Sequence, residues 1–177
     1  MSSLELQRLL GCLPPPFLDE AELAALARGW PAALDGTGLA AHARFSDREY
    51  TRIRIHRAPG WELLVVGWLP GQRTGAHGHG ESHGLTCVLE GTLVEVEYGL
   101  GPGGQVRKLA RRKHPAGGVF RERPETIHTV EHAGHARAIS LHLYAPPLDR
   151  MEVYGSTGTS QPRGSGRRAP KSSVSAR

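Results

Sequence analysis

His77 and His79 stand two positions apart inside the glycine-rich segment Gly75-Ala-His-Gly-His-Gly80, and His128 follows about fifty residues later. On extended backbone, residues i and i+2 project to the same side, so the pair can present two imidazoles to one point. A third imidazole from a distant strand closes one face of a metal ion and leaves the opposite positions open. That is the arrangement of a catalytic rather than a structural metal site. Glycine neighbours let the backbone crowd around such an ion. Three imidazoles suit iron, but also zinc, copper or nickel, so spacing alone leaves the metal open. A lone His-x-His occurs by chance in many proteins; the turn Pro70-Gly71 before it and Gly91 after it give this one context. His42, His56, His114 and His135 have no such context and read as solvated or structural residues.

Two further groups could act on a substrate. Ser140, His142 and Tyr144 occupy positions i, i+2 and i+4 of an alternating segment and so share one face. The intervening Leu141 and Leu143 also fit any half-buried strand whose polar side faces solvent. Arg52 shares a face with Tyr50 and Arg54 on another alternating segment, and its guanidinium fork suits a carboxylate. From pattern alone, a solvated strand arginine accounts for it equally well.

These side chains need a scaffold of strands. Tyr50 to His56 and Val94 to Glu97 alternate with period two, and Trp61 to Leu69 is apolar almost throughout, as a buried strand is. Further strands are expected at Gln105 to Leu109, Gly118 to Arg121, Ile127 to His132, Ala136 to Tyr144 and Met151 to Tyr154. Glu90-Gly91 and the run from Gly99 to Gly104 are turn signals. Ahead of the strands, Leu4 to Leu10 has helical apolar spacing stopped by Pro14-Pro-Pro16. Asp19 is a plausible N-cap for a helix from Glu20 to Trp30 that Pro31 ends. A third short helix is expected at Leu39 to Ala43. Many short strands with glycine turns, preceded by helices, predict a mainly β protein, a barrel or jelly roll with short N-terminal α-helices.

The chain's 177 residues suit one domain with a real hydrophobic core. We read residues 1–154 as that domain, with a helical segment over 1–45 and a β-barrel over 46–154. The net charge of +5 belongs to the remainder, 155–177, which holds Arg163, Arg167, Arg168, Lys171 and Arg177 and no acid. Subtracting those five leaves 17 basic residues against 17 acidic ones. The tail is rich in Gly, Ser and Pro with almost nothing to bury, and reads as disordered and basic. The folded part is neutral and lacks a basic, aromatic-rich face, so nucleic acid is not an expected partner. Two cysteines, Cys12 and Cys87, argue against a disulfide-built secreted fold. Glu5 and Arg8 interrupt the leucines at the start, so no signal peptide forms, and no apolar run approaches a membrane span. A soluble, cytoplasmic setting is expected.

Gly71, His77-x-His79 and Gly91 resemble the first motif of the cupin superfamily. Most cupins add a glutamate ligand after three or four intervening residues; here those positions hold His83 and Gly84. A three-histidine set without carboxylate resembles the cysteine dioxygenase family within the cupins. The likeness extends through Tyr50-Thr-Arg52, Gly67-Trp-x-Pro-Gly-Gln72, Ser82-His83, Leu89-Glu-Gly-x-Leu-x-Glu95, His128-x-Val-Glu131 and Ser140-Leu-His-Leu-Tyr-x-Pro-Pro147. It covers about residues 45 to 150 in register.

The resemblance implies a thiol dioxygenase of cysteine catabolism, a monomer, with Fe(II) held by His77, His79 and His128. L-cysteine and O2 would be the substrates and cysteine sulfinic acid the product. It implies substrate binding by Arg52 and Tyr50, and catalytic roles for Ser140, His142 and Tyr144, with the imidazole bridging the two hydroxyls. Family members acting on cysteine carry arginine at position 52, while those acting on 3-mercaptopropionate usually carry glutamine. The alternatives are a dioxygenase for that or another small thiol, and a non-catalytic cupin that binds a metal or small molecule. A cis Ala145-Pro146 bond is a further family expectation. Two departures stand out. Animal members have a cysteine matching Gly84 that forms a thioether with the tyrosine matching Tyr144; this chain cannot, and resembles the many bacterial members with glycine there. Cys87 lies an odd number of residues from Gly84, faces the other side and reads as core. His132, where the family often has asparagine, reads as tuning the site's surroundings or facing outward.

Overall fold

The computed structural model describes residues 25–31, 38–102 and 104–154, and the backbone of 160–164. Its strands are β1 (Thr51–Ala58), β2 (Trp61–Trp68), β3 (Ala76–Gly78), β4 (His83–Glu90), β5 (Thr92–Leu100) and β6 (Val106–Pro115). They continue with β7 (Val119–Glu122), β8 (Ile127–His132), β9 (Ala138–Ala145), β10 (Arg150–Tyr154) and β11 (Ser160–Gly164). One antiparallel sheet has the order β1-β2-β9-β4-β7 and the other β11-β10-β3-β8-β5-β6. This is the expected mainly β jelly roll.

Burial follows from what covers each face. β2 and β9 sit inside their sheet and are buried along their whole length, whereas the edge strand β1 alternates between half-buried and exposed positions. On β9 the odd residues Ile139, Leu141 and Leu143 join Leu63, Val65, Leu85 and Cys87 in one apolar cluster. Trp30, from the helical residues 25–31, and Leu39, from the 3-10 helix Leu39–His42, close over that cluster. The short helices therefore cover the outer face of the first sheet. Each fully buried side chain of this size contributes about 1.5–3 kcal/mol. The even residues of β2 and β9 point the other way, toward the second sheet, where Val66, Trp68, Val88, Leu93, Phe120 and Val130 form an inner cluster.

Two turns carry a strict backbone requirement. Gly71 has φ +80°, where Pro70 and Gly71 turn the chain and Gln72 N–H closes on the Leu69 carbonyl at 3.1 Å. Gly91 also has φ +80°, and a Cβ there would meet the Ala138 Cβ at 2.7 Å and the Arg137 carbonyl at 2.9 Å. It lets β4 leave one sheet and β5 enter the other.

Several expectations need adjusting. Three strands, β3, β4 and β11, were not among those expected, and β6 is twice the length anticipated, because an edge strand of charged residues carries little apolar signal. The third helix is a single 3-10 turn. The backbone of Ser160–Gly164, inside the stretch expected to be disordered, pairs with β10. Its Pro162 is tolerated because β11 is an edge strand. The helix expected at Leu4 to Leu10 and the rest of the basic tail lie outside the described residues. Among the described residues no helix is long and apolar enough to cross a membrane.

Candidate functional site

His77 and His128 are direct cross-strand partners on β3 and β8, and His79 follows β3 immediately. All three are buried. Their ring centroids form a near-equilateral triangle with sides of 4.9, 4.7 and 4.9 Å. One nitrogen from each lies within 4.8 Å of the others. Backbone hydrogen bonds pin the segment that carries the pair, since Thr74 N–H donates to the Val130 carbonyl at 2.9 Å and Val130 N–H to Thr74 Oγ1 at 2.9 Å.

The second nitrogens decide which face each ring offers. His77 Nδ1 lies 2.9 Å from the Gly75 carbonyl, which can only accept, so Nδ1 carries the proton and Nε2 is left with its lone pair. His128 Nδ1 lies 3.1 Å from Glu95 Oε1, which has the same consequence. Glu95 is buried on β5, and its other oxygen lies 3.4 Å from His114 Nε2 and 3.8 Å from Arg112 Nη1. Burial pushes the Glu95 carboxyl up, but the hydrogen bonds from His114 and His128 outweigh it and bring its pKa down to about 2. His79 is fully buried, and among the described residues neither of its ring nitrogens has an aligned hydrogen-bond partner, although Glu122 Oε2 lies 3.2 Å from Nε2. Burial, reinforced by His128, brings the His77 pKa down to about 3, and burial followed by His77 drives His79 well below the ordinary value. These imidazoles are therefore neutral, the form that ligates metal. Three converging imidazole nitrogens, one ring without an aligned hydrogen-bond partner in the interior and one braced by a carboxylate fit a divalent cation.

Of the remaining candidates, Tyr50, Arg52, His142 and Tyr144 line the cavity beside the triad, together with Trp68, Glu122 and Met151. It opens into a groove that shares Tyr50, Arg52, His77 and Met151 with it. Tyr50 stacks on Trp68 with centroids 4.8 Å apart. Arg52 donates to Met151 Sδ at 3.1 Å, and among the described residues no carboxylate is paired with it. Arg54, two positions on, is paired to the buried Glu62 at 3.2 Å. The structure thus separates two arginines that the pattern could not tell apart.

Ser140, His142 and Tyr144 do share one face, and it is the inner one. Ser140 Oγ is 2.8 Å from His142 Nε2, and His142 Nδ1 is 3.3 Å from the Tyr144 hydroxyl. The plain alternative, polar residues turned to solvent, fails because both faces of β9 are covered. Tyr144 stacks on His79 at 5.4 Å, so the phenol borders the triad. Burial, with Glu122 next, raises the Tyr144 pKa well above 10 and keeps it a neutral donor. Burial likewise drives His142 well below its ordinary value, with Arg52 adding to the effect.

Cys87 packs in the outer apolar cluster, facing away from the site as its parity required, and burial raises its pKa to about 11. His132 does not face outward: it is buried, and Gly134 N–H donates to its Nδ1 at 2.8 Å. It stands apart from the triad. The Ala145-Pro146 bond is cis. Glu95 and Trp68 were read only as part of the resemblance, without a role, and Thr86 and Glu122 were not singled out at all. For Glu95 a signal existed, an acid flanked by Val94 and Val96 on a strand with a buried face. Thr86 and Glu122 gave none.

Comparison with known proteins follows the same direction. The family model described as cysteine dioxygenase type I matches residues 17–157. Cysteine dioxygenase type 1 from Homo sapiens is 29% identical over 129 residues, covering 68% of this chain and 62% of the human one. The Danio rerio protein of the same name is 30% identical over 122 residues, covering 63% and 59%. The chain thus spans about three-fifths of the length of these relatives. Among solved structures, recombinant oxalate oxidase in complex with glycolate superposes with a TM-score of 0.51 at 17% identity, covering 60% of this chain and 56% of that one. The Schizosaccharomyces pombe Cnp3 cupin domain does so with 0.50 at 11%, covering 60% and 70%. At these identities the structures show a shared cupin fold and nothing about chemistry.

Proposed function

We propose that this chain, which belongs to the cysteine dioxygenase type I family, is a thiol dioxygenase that converts L-cysteine and O2 to cysteine sulfinic acid at a three-histidine Fe(II) site. The observation that carries the reading is one cavity bounded by His77 and His128 of the triad, an arginine with no carboxylate partner among the described residues, and a buried phenol stacked on His79. Bound there, iron would offer the open positions and the electron that a thiolate and dioxygen require. A wholly neutral ligand set leaves it the charge to hold an anionic sulfur.

The protein's own residues then have separable tasks. Arg52 anchors the substrate carboxylate through its fork, and Tyr50, fixed against Trp68, walls the same end. Anchoring the carboxylate at one end and the sulfur at the other orients the small molecule in the cavity. Tyr144 offers a neutral hydroxyl beside the triad, and His142, held by Ser140, positions that hydroxyl. Both oxygen atoms end on sulfur, and no water is consumed. The buried walls of Trp68, Val66 and Val130 keep solvent out.

The proposal takes residues 1–154 as one domain. It places the chain in a reducing cytoplasm as a monomer, where Cys87, a free thiol, stays reduced. The test is oxygen uptake by iron-loaded protein with L-cysteine and 3-mercaptopropionate in parallel, the sulfinate identified by mass. Uptake with cysteine is the expected result. Uptake only with the amine-free acid would keep the reaction and change the substrate. Bound iron with no uptake on either thiol would overturn the enzyme reading in favour of a binding cupin.

A further inference from the structure

Three residues on adjacent strands stand in one row: Tyr144 on β9 is the register partner of Gly84 on β4, and Gly84 that of Glu122 on β7. The glycine leaves a gap between two large neighbours, and Glu122 fills it. A Cβ on residue 84 would meet Glu122 Oε2 at 2.4 Å and its Cβ and Cδ at 2.9 Å. The carboxylate is thereby drawn over β4 into the site, fully buried, with Oε2 3.2 Å from His79 Nε2 and the Tyr144 hydroxyl close enough to interact. In the next row, His142 is the partner of Thr86. Thr86 Oγ1 donates to Glu122 Oε1 at 2.6 Å and lies 2.9 Å from His142 Nδ1.

These contacts join into one chain with a fixed direction. Trp68 Nε1–H can only donate, and it donates to Ser140 Oγ at 2.9 Å. The serine then gives its own proton to His142 Nε2. A neutral imidazole that accepts at Nε2 carries its proton on Nδ1, which donates to Thr86 Oγ1. Threonine in turn donates to Glu122. Every donor in the chain has an acceptor in this direction; in the reverse direction the Ser140 proton has none.

We propose that Glu122 is a positioning residue whose carboxylate, acting through Thr86, holds His142 in the Nδ1–H tautomer, so that this nitrogen, 3.3 Å from the Tyr144 hydroxyl, cannot accept the phenol's proton. Gly84 is the second half of the device, since any side chain there displaces the carboxylate. The assignment of the tautomer rests on this geometry alone; its use in thiol oxidation rests on the function proposed above.

The test reads the tautomer directly, by nitrogen NMR of histidine-labelled full-length chain loaded with zinc as a diamagnetic stand-in. We expect the Nδ1–H form in the native chain, a mixture or the Nε2–H form in Thr86→Val and Glu122→Leu, and recovery in Thr86→Ser. Gly84→Ala should repeat the effect of Glu122→Leu without touching either hydrogen-bonding residue. In oxygen uptake the same variants should lose roughly ten- to a hundredfold in kcat with KM for the thiol little changed. An Nε2–H tautomer in the native chain, or one unmoved by Thr86→Val and Gly84→Ala, would overturn the proposal. If the native chain shows no uptake but the tautomer responds as expected, the function falls and this assignment stands.

Discussion

Glu95 touches no substrate yet should govern metal affinity. Its Oε1 accepts from His128 Nδ1 at 3.1 Å, and its Oε2 faces His114 and Arg112. Replacing it by alanine leaves a buried imidazole N–H without an acceptor, which costs about 1–3 kcal/mol. It also frees the ring to rotate away from the triad. Removing such a supporting acceptor lowers metal affinity roughly 10–100-fold, or about 1.4–2.8 kcal/mol at 1.4 kcal/mol per decade. The two estimates agree, so Glu95→Ala should lie near the upper end. Glu95→Gln keeps one oxygen for His128 but turns an amide NH2 toward the Arg112 guanidinium and removes the negative charge, so about tenfold is expected. The assay is competition for zinc against a chelator of known affinity, with circular dichroism to verify that each variant is folded. Native affinity within about twofold in folded Glu95→Ala would refute the idea that this carboxylate orients His128.

Other expectations follow from neighbouring features. Arg52→Gln should lower kcat/KM for cysteine by roughly 10–100-fold, the worth of a charge-assisted hydrogen bond, with a smaller loss on 3-mercaptopropionate; equal losses would remove Arg52 as the carboxylate anchor. In a Cys12→Ser background, Cys87 should resist a thiol reagent at pH 8 in the native state and react at once when unfolded, because burial raises its pKa to about 11. Gly91→Ala should destabilise by about 1–3 kcal/mol and lower Tm by several degrees, since φ +80° and the Ala138 contact both oppose a side chain. In the metal-free protein the Glu95 pKa falls from 4.5 to about 2 on folding, so its contribution to stability is complete above 4.5 and is lost as pH falls toward 2. Urea midpoints across that window should therefore drop more steeply in the native chain than in Glu95→Gln.

What the sequence disclosed and what it withheld divide along a physical line. Strands announce themselves when one face differs from the other, so β1 and β5 were legible from alternation and β2 from its apolar content. β3 and β4 were not: β3 is only Ala-His-Gly, and β4 opens on His83-Gly84 and carries apolar residues on both faces, so neither shows a clean alternation. β6 hid for the opposite reason: six of its ten residues are Arg, Lys or His, so only its pairing with β5 holds it as a strand. The outer apolar cluster was foreseeable in part, since Cys87 was read as core and Leu141 and Leu143 fitted the apolar side of a half-buried strand. That the short helices lie over that face of the first sheet could not be inferred from the chain.

The site divides in the same way. His77 and His79 are near in sequence, and Ser140, His142 and Tyr144 obey a rule of parity along one strand, so spacing alone grouped them. Thr86, Glu122 and Glu95 belong to the site only because strand register sets them beside those residues, and register is a property of pairing rather than of any single strand. The same logic explains why Gly84 is informative only in three dimensions. As a letter it marks a missing side chain; in the sheet it is the gap through which a carboxylate from the next strand reaches the phenol of the strand beyond. Side chains that touch substrate can thus be found from a sequence by type and spacing. Those that set their protonation and direction emerge once the strands are paired, and here they are the residues whose substitution separates a positioned site from one that is merely present.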